Sequence, residues 1–282
     1  MGLFTKRAEG AEITKGYYFL QLPDSLKAGY EAVALGIQSF KKLVSVPGAA
    51  DKEDIKKIMD AVVYDNPIFC YMDPTQFQVI SRGSFTVVID YVYDKRKALQ
   101  VVREINEKAD WILSQIVTDD MDDYQKCLAV HDYLTANIRY HFSAAHVKTI
   151  YDAHTPEGAL LKHQAVCGGI AKAMLLMLQK LGVFSLVVLG ESEINREHVG
   201  HAWNIVRLDK DYYHIDVTWD LQEINHFAKR SHIYMNLDDD SMIMNHVWEL
   251  QDYPSCSSRA ENYYVRKKHY FRSMRSFELY IQ

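Results

Sequence analysis

Three side chains in this sequence could together open an acyl bond: Cys167, His201 and Asp216. Cys167 lies in the run Gln164-Ala165-Val166-Cys167-Gly168-Gly169-Ile170-Ala171-Lys172-Ala173, where an amphipathic helix is expected to begin. His201 opens His201-Ala202-Trp203-Asn204, and Asp216 stands in His214-Ile215-Asp216-Val217-Thr218-Trp219-Asp220. A thiol attacks carbonyls only as its thiolate, and a free cysteine titrates near about 8.5. The unpaired N–H groups and dipole of a helix start favour the anion, and an imidazole can take the proton. A carboxylate then fixes the imidazole tautomer. Gly168 and Gly169 place no side chain over the thiol. Backbone N–H groups at that turn could serve an oxyanion, at about 3–4 kcal/mol per donor.

Those roles require particular elements. Ile170, Ala173, Met174, Met177, Leu178 and Leu181 recur at helical spacing, and Leu175 and Leu176 make the helix apolar on most sides. It should be a central, buried helix stopped at Gly182. Phe184 to Leu189 reads as a buried strand and Glu191 to Glu197 as an exposed loop. Two strands, His201 to Leu208 and Tyr212 to Trp219, flank a turn at Asp209-Lys210. A two-residue turn pairs Leu208 with Asp211, which sets His201 opposite Thr218 and makes Asp216 its same-face diagonal neighbour. A slip of one residue would put the imidazole and the carboxylate on opposite faces.

Upstream, Leu26, Tyr30, Val33, Ile37, Phe40 and Val44 recur as on a helix, and Asp51 caps a second helix to about Val63. Asp65-Asn66-Pro67 breaks the chain. Gln76 to Ser81 and Phe85 to Tyr93 read as paired strands turning at Arg82-Gly83. Ala98 to Ile116 closes this part as a long helix. Asp119-Asp120-Met121-Asp122-Asp123 lacks the glycine and terminal glutamate of an EF-hand loop. It is read as a linker and the first turn of the helix carrying Cys127, Val130, His131, Leu134 and Ile138. The expected division is an N-terminal α/β extension over residues 1–118 and a catalytic domain over 119–282. A further strand is expected from His232 to Asn236, before an aromatic tail with Tyr263, Tyr264, Tyr270 and Phe271.

Composition excludes several function classes. With 282 residues, 48% hydrophobic, the chain suits a globular fold. The net charge of −5 comes without a segregated basic cluster, so nucleic acid is not an expected partner. Apolar runs fall short of the roughly 20 residues that span a bilayer. The first residues show no secretory signal, and Lys6 breaks the myristoylation pattern, so a cytoplasmic location is favoured unless a signal is trimmed. Cys70, Cys127, Cys167 and Cys256 form no Cys-x-x-Cys pair. Cys70 and Cys127 read as small core side chains. His198 and His201 would point to opposite faces of a strand, so no metal is expected, nor any other cofactor.

The run Ala165 to Ala173, Leu181-Gly182-Val183, Gly190, His201-Ala202-Trp203-Asn204 and Asp216-Val217-Thr218-Trp219-Asp220 resembles the transglutaminase-like superfamily, and its bacterial branch in particular. His131-Asp132-Tyr133-Leu134 and Asn137-Ile138-Arg139-Tyr140 match the helix that precedes the cysteine in that family. The resemblance is strong from about residue 124 to 220 and extends through Tyr234-Met235-Asn236 and His246. It implies a papain-like α+β core, with the cysteine helix packed on an antiparallel sheet, and a Cys167-His201-Asp216 triad. Animal cross-linking members usually carry an aromatic where this chain has Gly168, and their calcium sites are not recognisable here. The resemblance therefore points to hydrolysis of a peptide or amide bond in a peptide or protein substrate. Glutamine transamidation and a non-catalytic peptide-binding groove are the alternatives. Gln164, Gly168, Trp203 and Tyr140 are further candidates for substrate or oxyanion contacts, as is His163. Trp203 beside His201 could equally be packing.

Overall fold

A computed structural model describes residues 13–268 except 82, 148–149, 195 and 222–230. The first twelve residues, Arg82, Tyr270 and Phe271 therefore lie outside the described residues. The chain divides into two compact units, residues 1–103 and 104–282, and the division falls inside one long helix.

In the first unit, helices α1 (Tyr17–Gln21), α2 (Asp24–Gln38) and α3 (Lys52–Asp65) accompany an antiparallel sheet of order β1-β3-β2. The strands are β1 (Leu43–Ser45), β2 (Met72–Ser81) and β3 (Phe85–Tyr91). The expected α2 stripe is right from Leu26 to Ile37, all buried. It fails beyond, because Phe40 takes φ 56° and Val44 belongs to β1. Asp51 caps α3 by accepting the Asp54 N–H at 2.9 Å. Helix α4 (Lys95–Ile116) carries the chain into the second unit.

There α5 (Asp123–Asn137) begins with a capping box between Asp122 and Gln125, which uses the acidic run as helix punctuation. Short elements follow: β4 (Arg139–Tyr140), α6 (Phe142–His146), a 3₁₀ turn Tyr151–His154, a π-type turn Glu157–Leu161 and β5 (Gln164–Ala165). Helix α7 (Cys167–Lys180) starts at the cysteine, and Gly182 ends it at φ 72°. Every expected core position of α7 is buried except Leu181, which is half-buried.

The main sheet has order β10-β6-β7-β8-β9 and is antiparallel throughout. Its strands are β6 (Ser185–Ile194), β7 (Glu197–Leu208), β8 (Asp211–Ile215), β9 (Met235–Leu237) and β10 (His246–Val247). α7 packs on β6 and β7, so the expected α+β core, a cysteine-bearing helix on an antiparallel sheet, is present. The segment Glu191 to Glu197 is not a loop. Glu191 to Ile194 pairs with Glu197 to Gly200, and its polar composition reflects a hairpin end with solvent beside it. The strand expected to reach Trp219 stops at Ile215, and residues 217–220 turn. The last strand is shorter than expected, Met235–Leu237 rather than His232 to Asn236. No helix is long and apolar enough to cross a membrane among the described residues.

Candidate active site

The hairpin register brings two of the three residues together. Leu208 pairs with Asp211, and the ladder runs without a slip to Asn204 opposite Ile215. Asp209 closes the two-residue turn in the left-handed region at φ 55°. Ile205 lies opposite His214, so His201 and Asp216 fall on that same face. His201 Nε2 meets Asp216 Oδ2 at 2.6 Å, with both side chains almost fully buried. β8 has ended by then, yet the Asp216 N–H still bonds Tyr234 O at 3.0 Å, and its Oδ1 accepts the Trp219 N–H at 3.0 Å.

The third residue arrives from α7. Cys167 is its first residue, and its side chain hydrogen-bonds His201 while the Ala202 N–H points at the sulfur. With Nε2 taken by Asp216, Nδ1 is the ring nitrogen left to face the thiol. Burial by itself would raise the thiol, but the His201 hydrogen bond and charge, with the Ala202 N–H, hold Cys167 below its ordinary value. Burial would lower His201, but Asp216 and then Cys167 raise it to about 10. Burial would raise Asp216, but His201 and then His246 hold it well below the usual carboxylate range. The group is poised to hold a thiolate beside an imidazolium. The other cysteines differ: Cys70, Cys127 and Cys256 are buried, and burial pushes the Cys127 and Cys256 thiols well up.

Of the secondary candidates, the structure brings in Tyr140. β4 and β5 pair in parallel, with Tyr140 beside Ala165, two residues before the cysteine. The Tyr140 hydroxyl meets the Cys167 thiol and accepts the Cys167 backbone N–H, and burial followed by the nearby Cys167 and Asp216 charges pushes it upward. Gly168 is open: a methyl group there would meet nothing within 4 Å. Gly169 is not an opening for substrate, because a methyl there would strike Ala153 O and lie 3.1 Å from the Thr155 N. Gln164 is exposed in β5, and His163, at φ 55°, gives its carbonyl to the Arg139 N–H. Trp203 is packing. It is buried, its ring lies 5.8 Å from His201 at 21°, and its Nε1–H donates to His214 Nδ1 at 3.0 Å. His198 is exposed and apart from this set.

No motif or periodicity in the sequence marks His246 for a role. It is fully buried, and its Nε2 lies 3.1 Å from Asp216 Oδ2, the oxygen that also faces His201. β10 is two residues long and carries no periodicity, so only its pairing with β6 reveals the contact. A second buried network was equally hidden. His131 joins Asp132 through Nδ1 at 3.2 Å and Asp220 through Nε2 at 3.1 Å, and His232 joins Asp132 at 2.7 Å. Asp220 also accepts the Ser231 hydroxyl and the Ile233 and Tyr234 N–H groups, which pins the segment that receives the Asp216 N–H.

Residues 111–217 match the family model described as Transglutaminase-like superfamily. No curated protein matches the chain. Among solved structures, a TGase shares 16% identity over 51% of this chain and 44% of its own, with a TM-score of 0.36. A candidate cysteine protease from Cytophaga hutchinsonii shares 11% identity over 51% of this chain and 61% of its own, TM-score 0.33. A candidate protease from Parabacteroides distasonis shares 12% over 49% and 35%, TM-score 0.30. The chain thus spans about half the length of the solved structures it matches.

Proposed function

We propose, from the premise that residues 111–217 form a domain of the transglutaminase-like superfamily, that this protein is a thiol-dependent acyl-transfer enzyme acting on peptide or amide bonds. One observation carries the reading: an unbroken hydrogen-bonded chain from Cys167 through His201 to Asp216. In this reading the Cys167 thiolate attacks the carbonyl carbon. The carbonyl oxygen takes up the charge between the Cys167 N–H and the Tyr140 hydroxyl, which hydrogen-bond each other in this structure. His201 gives its proton to the departing amine, leaving a thioester on Cys167. Water then loses a proton to His201 and attacks the thioester, releasing the acid and restoring the thiolate. Asp216 keeps the His201 ring in one tautomer and supports its positive form. The catalytic role belongs to the C-terminal part, expected from the sequence over residues 119–282, although the family match begins at 111 and the second compact unit at 104.

The acceptor is water rather than a lysine amine. Gly168 supports this, since it leaves open space beside the thiol where cross-linking members carry an aromatic. The test is an acyl-enzyme trap. A panel of peptide amides and p-nitroanilides is offered with and without a primary amine, and intact mass is read after acid quench. A mass increase on Cys167, lost in Cys167→Ala, with acid as the only product supports hydrolysis. Amine adducts in preference to acid would make the protein a transamidase. Peptide binding that survives in Cys167→Ala, with no acyl-enzyme in the wild type, would reduce the site to a binding groove.

A further inference from the structure

We infer that His246 is a positioning residue of this site: a second imidazole, carried by β10, that grips Asp216 and so fixes where His201 points. The inference rests on the acyl-transfer reading above. β10 pairs with β6 so that His246 lies opposite Ser192, and Ser192 lies opposite Val199. Val199 and His201 are two apart on one strand, so the two imidazoles share a face and flank the same carboxylate. The rings are 5.4 Å apart. Gly190, opposite His201, makes room for this, because a methyl there would lie 2.7 Å from the Trp203 ring and strike Val247 O of β10.

Packing alone does not explain an imidazole at this place. His246 is surrounded by the rings of Trp203, Trp219 and Tyr234, at 5.0, 5.0 and 5.6 Å, a setting a phenyl group would fill without buried polar atoms. Both ring nitrogens are instead engaged. Nδ1 meets Asn245 Oδ1 at 2.7 Å, and the Asn245 amide is held by the Tyr234 hydroxyl at 2.5 Å. Nε2 meets Asp216 Oδ2 at 3.1 Å. A carboxylate is acceptor-only, so Nε2 carries the proton and donates. Asp216 thus receives three donors: the Trp219 N–H on Oδ1, and His201 and His246 on Oδ2. The Trp219 N–H holds Oδ1, and Oδ2 lies between two imidazoles, so His246 adds a second grip on the oxygen that faces His201 and limits its drift when the His201 ring moves. The charged and titratable groups facing the pair are Cys167, Tyr140 and His201 around Asp216, and His214 and Tyr234 around His246.

The experiment follows the rate of Cys167 carboxamidomethylation from pH 5 to 9.5, by peptide mass spectrometry, on the full chain. This readout needs no substrate. In His246→Phe the ring volume stays and the donor goes. The midpoint of the profile should rise by about one pH unit, making Cys167 roughly tenfold slower at pH 6. His246→Gln, whose amide N–H reaches the Nε2 position, should bring the profile back to within about twofold. A folded His246→Phe protein with the wild-type midpoint overturns the inference while leaving the acyl-transfer reading intact. A wild-type midpoint equal to that of His201→Ala sinks both at once. The ¹⁵N shift of His246 Nε2 in the wild-type protein is a reading that needs no variant. A protonated nitrogen is expected, and an unprotonated one overturns the inference.

Discussion

Gly168 and Gly169 are neighbours under opposite constraints. The first borders open space beside the thiol, and the second is pressed against the backbone of the Tyr151–His154 turn. Gly169→Ala should therefore lower unfolding stability by about 1–3 kcal/mol, as overpacking against a rigid carbonyl does. Gly168→Ala should leave the urea midpoint unchanged. The sequence supports only the shared absence of side chains, because the carbonyl that crowds Gly169 comes from a turn with no pattern of its own. Tyr140 and Trp203 divide in the same way. Both were aromatic candidates, but one hydroxyl reaches the thiol and the other ring spends its N–H on His214. At Asp216, replacing carboxylate by amide removes the charge that raises His201. Asp216→Asn should cut acyl-enzyme formation by about 10²- to 10⁴-fold, measured as the rate of the mass increase on Cys167.

At the scale of elements the β7–β8 hairpin decides whether a site exists. Its register follows from Asp209-Lys210 as a two-residue turn, and that much is legible in the sequence because turn length fixes parity. Inserting one glycine after Lys210 should put Asp216 on the face away from His201 if the turn stays two residues long and the β8 register shifts by one. The alkylation profile of Cys167 should then match that of Asp216→Asn, whereas a two-glycine insertion should restore part of the difference. Profiles that ignore the insertion would show the turn absorbing it without a change of face. Helix α7 was also legible, since its apolar spacing and its glycine stop are local signals. β10 was not, because two residues hold no period and their meaning lies in a partner more than fifty residues earlier. The end of the β6–β7 hairpin is illegible in the sequence because alternation between exposed Glu191 and Glu193 and buried Ser192 looks like a polar loop.

Across the second unit, buried imidazoles and carboxylates set how stability responds to pH. Burial would lower His131, but Asp132 and Asp220 raise it from 6.5 to about 9. A group raised on folding stabilises fully below its unfolded value and loses that contribution as pH climbs through the folded one. His131 therefore contributes about 3 kcal/mol below pH 6.5, and this fades as pH rises to 9. Asp132 runs the other way. Burial would raise it, but His131 and His232 hold it low, so its contribution is present above about pH 4 and is lost on acidification. Stability should peak between about pH 4 and 6.5. All four tryptophans, at 111, 203, 219 and 248, lie in this unit, so their fluorescence follows its unfolding alone. His131→Gln should flatten the alkaline decline, and an unchanged slope would locate the response elsewhere. The acidic and imidazole partners of this network lie 89 and 100 residues from their neighbours in α5, a separation no local reading bridges.

The His201–Asp216 contact closes only 15 residues of chain, whereas Cys167 comes from a separate helix. Local hairpins form before elements distant in the chain dock. During refolding the imidazole and carboxylate should accordingly meet first, while the thiol still behaves as an ordinary cysteine. A pulse of alkylating reagent at successive times would then act as a clock for the final docking of α7, with enhanced Cys167 labelling as the last native property to emerge.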